Sequence, residues 1–282
     1  MNPIKLVTDS TCDLSKELIS THDISVVPLF VNFGEESFLD GVTLNPSTMY
    51  EMVEQRGILP KTAAASPGMF VEVFEEYLNQ GYDILYLGIG SKFSATYQSA
   101  KVAKETIQSS KVFLVDSQNL SSGSGLLLLK AAKMRQMGQD IETIVRELQF
   151  MIPKIRTQFV ISTMEYLHKG GRCSSIAALF GTLLKIKPII KVVNGAMEVG
   201  KKPRGPIQIA VNVLMEEAII QKDSIDPDFL MITHSVADEA AQYASIQLHQ
   251  ELQVDSIYET SAGCVISSHC GQGCIGVIYL LK

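Results

Sequence analysis

Short apolar, partly β-branched runs alternate with stretches of helical period from residue 4 to residue 152. That alternation leaves little choice but a parallel sheet with helices on its faces. Residues 4–8 form the first run, closed by Asp9, Ser10 and Thr11, and a helical stretch over 13–20 follows. Residues 24–31 read as the second strand. Residues 32–43 are too poor in periodic apolar positions for a helix and read as a loop or small hairpin. Asn45-Pro46 and Ser66-Pro67 each set an N-cap before a proline at the first helical position, where its missing N–H is harmless. They predict helices over 46–56 and from 67 to a stop at Gly81. In the second of these Met69, Phe70, Val73, Phe74, Tyr77 and Leu78 share one face. A strand over 84–87, a small-residue loop over 88–94 and a helix over 95–106 come next. After them stand a strand at 112–115, a helix opening in the Ser/Gly cluster 121–125 and ending near Gly138, and a helix over 141–152 capped by Asp140.

From Thr157 the order changes. A strand over 157–163, helices around 164–169 and 174–185, and a strand over 188–193 lead to Asn194-Gly195. This pair is favoured in a type I′ hairpin turn, because both positions need positive φ. The return strand is 196–199, and 229–233, 238–252 and 274–281 are the clearest later strand, helix and strand. At about 150 residues per domain, 282 residues suggest two domains. The fold class is therefore α/β: a three-layer α/β/α Rossmann-like domain over 1–156 with a mainly parallel sheet, then an α+β domain over 157–282 with a mixed sheet.

Composition narrows the function classes. With 46% hydrophobic and 19% charged residues the chain folds, and disorder is excluded. A net charge of −6 disfavours nonspecific attraction to nucleic acid or anionic lipid across the whole surface, though not a local basic pocket. Five cysteines form no disulfide framework, which suits a reducing compartment and places the protein in the cytoplasm. The start MNPIKLVTDS lacks the charged and apolar regions of a signal peptide, and no apolar run approaches the roughly 20 residues that span a bilayer.

Several motifs dissolve under their structural context. Gly271, Gly273 and Gly276 match a dinucleotide fingerprint as a string, but the six residues after them read as strand where a phosphate-binding helix is needed. The Gly195–Lys201 string resembles a phosphate loop, yet Lys202 stands where Ser or Thr must hold magnesium, and the Asn-Gly hairpin explains it better. Cys264, His269, Cys270 and Cys274 have no zinc spacing. No G-x-S-x-G elbow occurs, and His234, alone at a strand end, reads as a structural residue. No metal site or catalytic set is assigned. Asp9, Ser10, Asp116 and Ser117 at strand ends either line a crevice or cap the turns that follow.

Small donors at helix starts and arginines among glycines are the stronger signal. Ser94 precedes the 95–106 helix, where its hydroxyl and nearby N–H groups either receive an anion or form an ordinary N-cap. Thr62 opens the stretch Thr62-Ala63-Ala64-Ala65, which lets a ligand approach the backbone. Arg172 follows Gly170-Gly171 and Arg204 sits between Pro203 and Gly205. Both suit a carboxylate or phosphate, or are plain surface arginines at turns.

The strings Thr8-Asp9-Ser10-Thr11-Cys12-Asp13-Leu14, Ser91-Lys92-Phe93-Ser94-Ala95-Thr96, Val115-Asp116-Ser117, Leu167-His168-Lys169-Gly170-Gly171-Arg172, Ile186-Lys187-Pro188, Lys202-Pro203-Arg204-Gly205 and His269-Cys270-Gly271-Gln272-Gly273, with Thr62 to Pro67, stand in the order and spacing of one family. Together they resemble the DegV family along the whole chain. The resemblance implies a bacterial fatty-acid-binding protein of two α/β domains, with the acyl chain in an apolar tunnel and its carboxylate near the domain junction. It implies that Thr62 and Ser94 hold the carboxylate, that His269 lies close by, and that Arg172 and Arg204 meet the phosphorylated head or the partner. It further implies a FakB-like carrier without a cofactor of its own. Such a carrier presents a long-chain fatty acid such as palmitate to a FakA-like, ATP-dependent fatty acid kinase and takes the acyl phosphate to phospholipid synthesis. Transient membrane contact follows from the ligand class. The alternative is a stand-alone acyl hydrolase or transferase using Ser94 or His269. A third reading is a regulatory domain that senses lipid without handing it on. Ala63-Ala64-Ala65 and Ala95 depart from the family's usual Ser-Gln-Pro and Gly.

Overall fold

The computed structural model describes residues 2–172 and 186–282. The expected helix over 174–185 lies outside the described residues. Four parallel strands form the first sheet: β1 (Ile4–Asp9), β2 (Ile24–Val27), β6 (Asp83–Gly88) and β7 (Val112–Asp116), in the order β2-β1-β6-β7. On one face lie α3 (Pro67–Asn79) and α4 (Thr96–Ile107). Phe70, Phe74, Ala100 and Ala103 there pack on Val7, Ile84 and Tyr86. The other face carries α5 (Ser122–Gln136) and α6 (Ile141–Met151), whose leucines meet Leu6, Leu85 and Leu87. Alternation along each strand sends its two apolar sets to opposite helix layers.

A second, six-stranded sheet has the order β10-β9-β8-β13-β11-β12. It comprises β8 (Ile155–Val160), β9 (Ile189–Val193), β10 (Ala196–Val199), β11 (Ile225–Ser235), β12 (Ser256–Ser261) and β13 (Cys274–Leu281). Only β11 and β12 run parallel. Its outer face is covered by α8 (Ile207–Ile220) and α9 (Asp238–Glu251). Its inner face packs on the same α5 that backs the first sheet, through Met231, Ile278 and Leu280. α5 is buried along most of its length, and even Lys130 is covered, its ammonium held by Asp226 and Asp228 at 2.8 and 2.7 Å. The fold is thus the α/β architecture expected, with a parallel sheet and a separate mixed one.

The Asn194-Gly195 turn has φ values of 50° and 73°, as a type I′ hairpin demands. Two expectations are corrected. The strand read over 24–31 is broken at Pro28: β2 stays in the parallel sheet, and β3 (Phe30–Phe33) leaves for a small antiparallel sheet with β4 (Glu36–Leu39) and β5 (Lys61–Ala63). Proline has no N–H for a ladder, which explains the break. The helix expected from 13 starts later, as α1 (Lys16–Thr21), because Asp9 caps a 3-10 turn over Ser10–Cys12 and Asp13 ends it at φ 51°. Thr62 lies in β5, paired with Val31. Among the described residues the other α-helices are α2 (Pro46–Arg56), α7 (Glu165–Lys169) and α10 (Cys264–Cys270).

Candidate functional site

In an open parallel sheet the crevice forms beyond the carboxyl ends of the strands, where the strand order reverses. Here that point lies between β1 and β6. Asp9, fully buried at the end of β1, accepts hydrogen bonds from the Tyr86 hydroxyl and the Ile89 N–H, both at 2.9 Å. Asp116 at the end of β7 accepts from the Ser91 N–H at 3.0 Å and the Ser91 hydroxyl at 2.6 Å. These carboxylates shape the loop carrying Ser94; of the two roles open to them, the turn-capping one is observed.

The helix after that loop begins at Thr96 with Ala95 as its cap residue, so Ser94 is not the N-cap. The Ser94 backbone N–H is used by Gly90 O at 3.3 Å. The Ser94 hydroxyl accepts from the Thr96 N–H at 3.2 Å and touches the Thr96 hydroxyl at 2.9 Å. Thr96 thereby aims Ser94.

Opposite stands α10. Its first turn is pinned by two buried acids: Asp13 accepts from the Gly263 N–H at 2.8 Å and Asp40 from the Cys264 N–H at 2.7 Å. Burial raises both carboxyls above their ordinary range. At the other end of α10, His269 Nε2 and the Thr62 hydroxyl are hydrogen-bonded at 2.9 Å. His269 Nδ1 is buried without a partner. Burial, then the nearby Arg172 charge, lowers this imidazole from 6.5 to about 4, so the ring is neutral at physiological pH. Gly170 makes room for it: a Cβ there would stand 2.2 Å from Nδ1.

Thr62, Ser94, His269 and Arg172 all line one cavity, with about 900 Å³ of space between its atoms, part of it open to solvent. The same cavity is lined by Ile89, Phe93, Phe159, Met197, Ile266 and Ile278, from both halves of the chain. Sequence reading missed these lining side chains, since an apolar strand or loop residue facing a cavity has the same pattern as one facing solid core. Arg172 is exposed and donates to the Gly170 carbonyl at 2.8 Å. Arg204 does not line the cavity; it is exposed and bridges to Ile186 beside it. His234 lines the wall, but its Nδ1 accepts from the Ala237 N–H at 3.1 Å, a structural bond.

Among the described residues no base meets Ser94, whose hydroxyl bonds to Thr96. Cys274 lines the cavity too, but contact with Cys270 and burial push its thiol well up, which leaves it inert as a nucleophile. Among the described residues no cluster could hold a metal ion, and no helix is long and apolar enough to cross a membrane.

Known proteins match the chain along its length. A DegV domain-containing protein of Clostridium perfringens is 35% identical over 280 residues, covering 99% of both chains. Protein DegV of Bacillus subtilis is 30% identical over 283 residues, again 99% of both. Among solved structures, a fatty-acid-binding DegV family protein from Thermus thermophilus superposes with a TM-score of 0.93 at 30% identity over 100% of both chains. A stearic-acid-binding protein from Eubacterium ventriosum gives 0.86 at 26% identity, covering 99% of this chain and 98% of its own. The sequence pattern of the DegV family, a family of uncharacterised proteins, matches residues 3–282, and with it the chain belongs to the DegV family.

Proposed function

We propose that this protein binds a long-chain fatty acid, with the hydrocarbon in the apolar cavity and the carboxylate at Thr62 and Ser94. One observation carries the reading: a cavity walled by apolar side chains ends at two hydroxyls from distant segments, one bonded to a neutral histidine and the other aimed by Thr96. Each buried CH₂ is worth about 0.8 kcal/mol, so a sixteen-carbon chain supplies on the order of 10 kcal/mol gross. The carboxylate then needs only a few oriented donors, and neutral His269 adds no charge of its own. Fatty acid binding by the Thermus thermophilus and Bacillus subtilis relatives supports the same assignment.

In this reading the protein is a carrier and not an enzyme. Attack of a carboxylate on ATP needs magnesium and a phosphate cradle, and a FakA-like kinase partner supplies both. Arg172, exposed and lining the cavity, then faces the phosphorylated head or the partner, and Arg204, exposed outside the cavity lining, serves the partner. The test is native mass spectrometry of the purified protein, followed by incubation with ATP and a fatty acid kinase. An added mass equal to a long-chain fatty acid, converted to acyl phosphate only when the kinase is present, is the expected result. Protein that takes up no fatty acid overturns the binding reading; bound acid that no kinase phosphorylates overturns the partner.

A further inference from the structure

The cavity wall changes character at its far end. Along β13 the inward residues are Cys274, Gly276 and Ile278, spaced by two as the pleat requires. Cys274 stands by Cys270, next in sequence to His269. Ile278 lies about 13 Å further along, at about 3.3 Å per residue. Thr157 of β8 is in register with Ile278, so both occupy the row remote from the carboxylate site.

Thr157 is 3% exposed and its hydroxyl has no hydrogen-bond partner. Neighbouring hydroxyls are engaged: Thr233 with Ser122 and Thr260, Ser121 with Asp13. The Thr157 hydroxyl rests against Gly123 of α5, where a Cβ would stand 2.5 Å from it. Thr157 lines the cavity together with Phe159 and Ile278. A lone buried hydroxyl is costly, and a trapped water needs two to four polar partners, whereas the other polar side-chain atom at Gly123, Asn119 Oδ1, already accepts from the Leu120 N–H at 3.0 Å. An oxygen tethered to a ligand already held at both head and chain needs only the one.

Resting on the fatty acid reading, we propose that Thr157 is a specificity-determining residue for acyl chains that carry a hydroxyl or oxo oxygen in their distal half. A plain hydrocarbon chain leaves this hydroxyl buried and unpaired; an oxygenated chain pairs it.

The test measures dissociation constants of wild type and Thr157→Val for octadecanoic, 10-hydroxyoctadecanoic and 12-hydroxyoctadecanoic acids. Wild type binds at least one hydroxylated isomer as tightly as the plain acid. In Thr157→Val the ratio shifts about five-fold against that isomer, the size expected for one neutral hydrogen bond, and Thr157→Ser restores it. An unchanged ratio in Thr157→Val overturns the inference while leaving fatty acid binding intact, as does wild-type preference for the plain acid by ten-fold or more. Binding of none of the three acids by wild type overturns the fatty acid reading and this inference with it. Should Thr157→Val fail to fold, Thr157→Ala against Thr157→Ser reads the same ratio.

Discussion

The Thr62 hydroxyl and His269 Nε2 meet at 2.9 Å although 207 residues separate them in the chain. Strand β5 fixes the first through its pairing with Val31, and α10, tied down by Asp13 and Asp40, fixes the second. The polar end of the cavity therefore depends on carboxylates that never touch it.

Thr62→Ala removes the hydroxyl proposed to hold the carboxylate and leaves both ring nitrogens of His269 unpaired among the described residues. Fatty acid affinity should fall by roughly 1–3 kcal/mol, with Thr62→Ser close to wild type. Calorimetric titration with palmitate checks this, and equal affinity in Thr62→Ala would remove Thr62 from the head group.

Ser94→Ala should weaken binding by a similar amount, roughly 1–3 kcal/mol, while the gain per added CH₂ across a chain-length series stays at the wild-type value. A changed slope would place Ser94 on the tail and not on the carboxylate.

The pH dependence of stability follows from His269. Its imidazole is lowered from 6.5 to about 4 by burial and Arg172, so between those values the unfolded chain binds more protons than the folded one. The contribution is complete above pH 6.5 and is lost as pH falls towards 4, on the order of 3 kcal/mol in all. Asp9, Asp13 and Asp40 are raised by burial and act in the opposite sense, gaining stability as pH falls. The measurement is therefore the difference between wild type and His269→Gln in urea unfolding from pH 4 to 7.5. A difference that does not move with pH refutes a depressed histidine.

Arg172→Ala should retain fatty acid binding and lose phosphorylation by the kinase. It should also let the His269 imidazole titrate closer to its ordinary value, because a neighbouring positive charge is gone. Nuclear magnetic resonance titration of the ring reads the second effect directly; a parallel loss of ligand affinity would put Arg172 in the primary pocket.

Gly170→Ala drives a Cβ to 2.2 Å from His269 Nδ1 and 2.9 Å from the Tyr166 carbonyl oxygen. The backbone atom cannot yield as a side chain could, so the variant should lose about 1–3 kcal/mol of stability, the usual range for overpacking, along with ligand affinity. Thermal unfolding and palmitate titration together check it; wild-type values in both would show that the loop shifts freely.

Periodicity and punctuation were enough to read the parallel sheet, its helices at Pro46 and Pro67, the Asn194-Gly195 hairpin and the closing strand 274–281, because each rests on interactions within a few residues of itself. Order and spacing of short strings identified the family and named Thr62, Ser94 and His269. Local signals misled at Pro28, where one apolar run serves two sheets, and left the role of Ser94 open until the structure put Ala95 at the cap position. What only the tertiary structure decided is the cavity itself. Phe159, Ile278 and Thr157 occupy strand positions that look the same in sequence whether a neighbouring side chain or an empty bore faces them. The meeting of Thr62 with His269 likewise depends on how β5 and α10 pack, and a contact across 207 residues leaves no periodic trace in either segment.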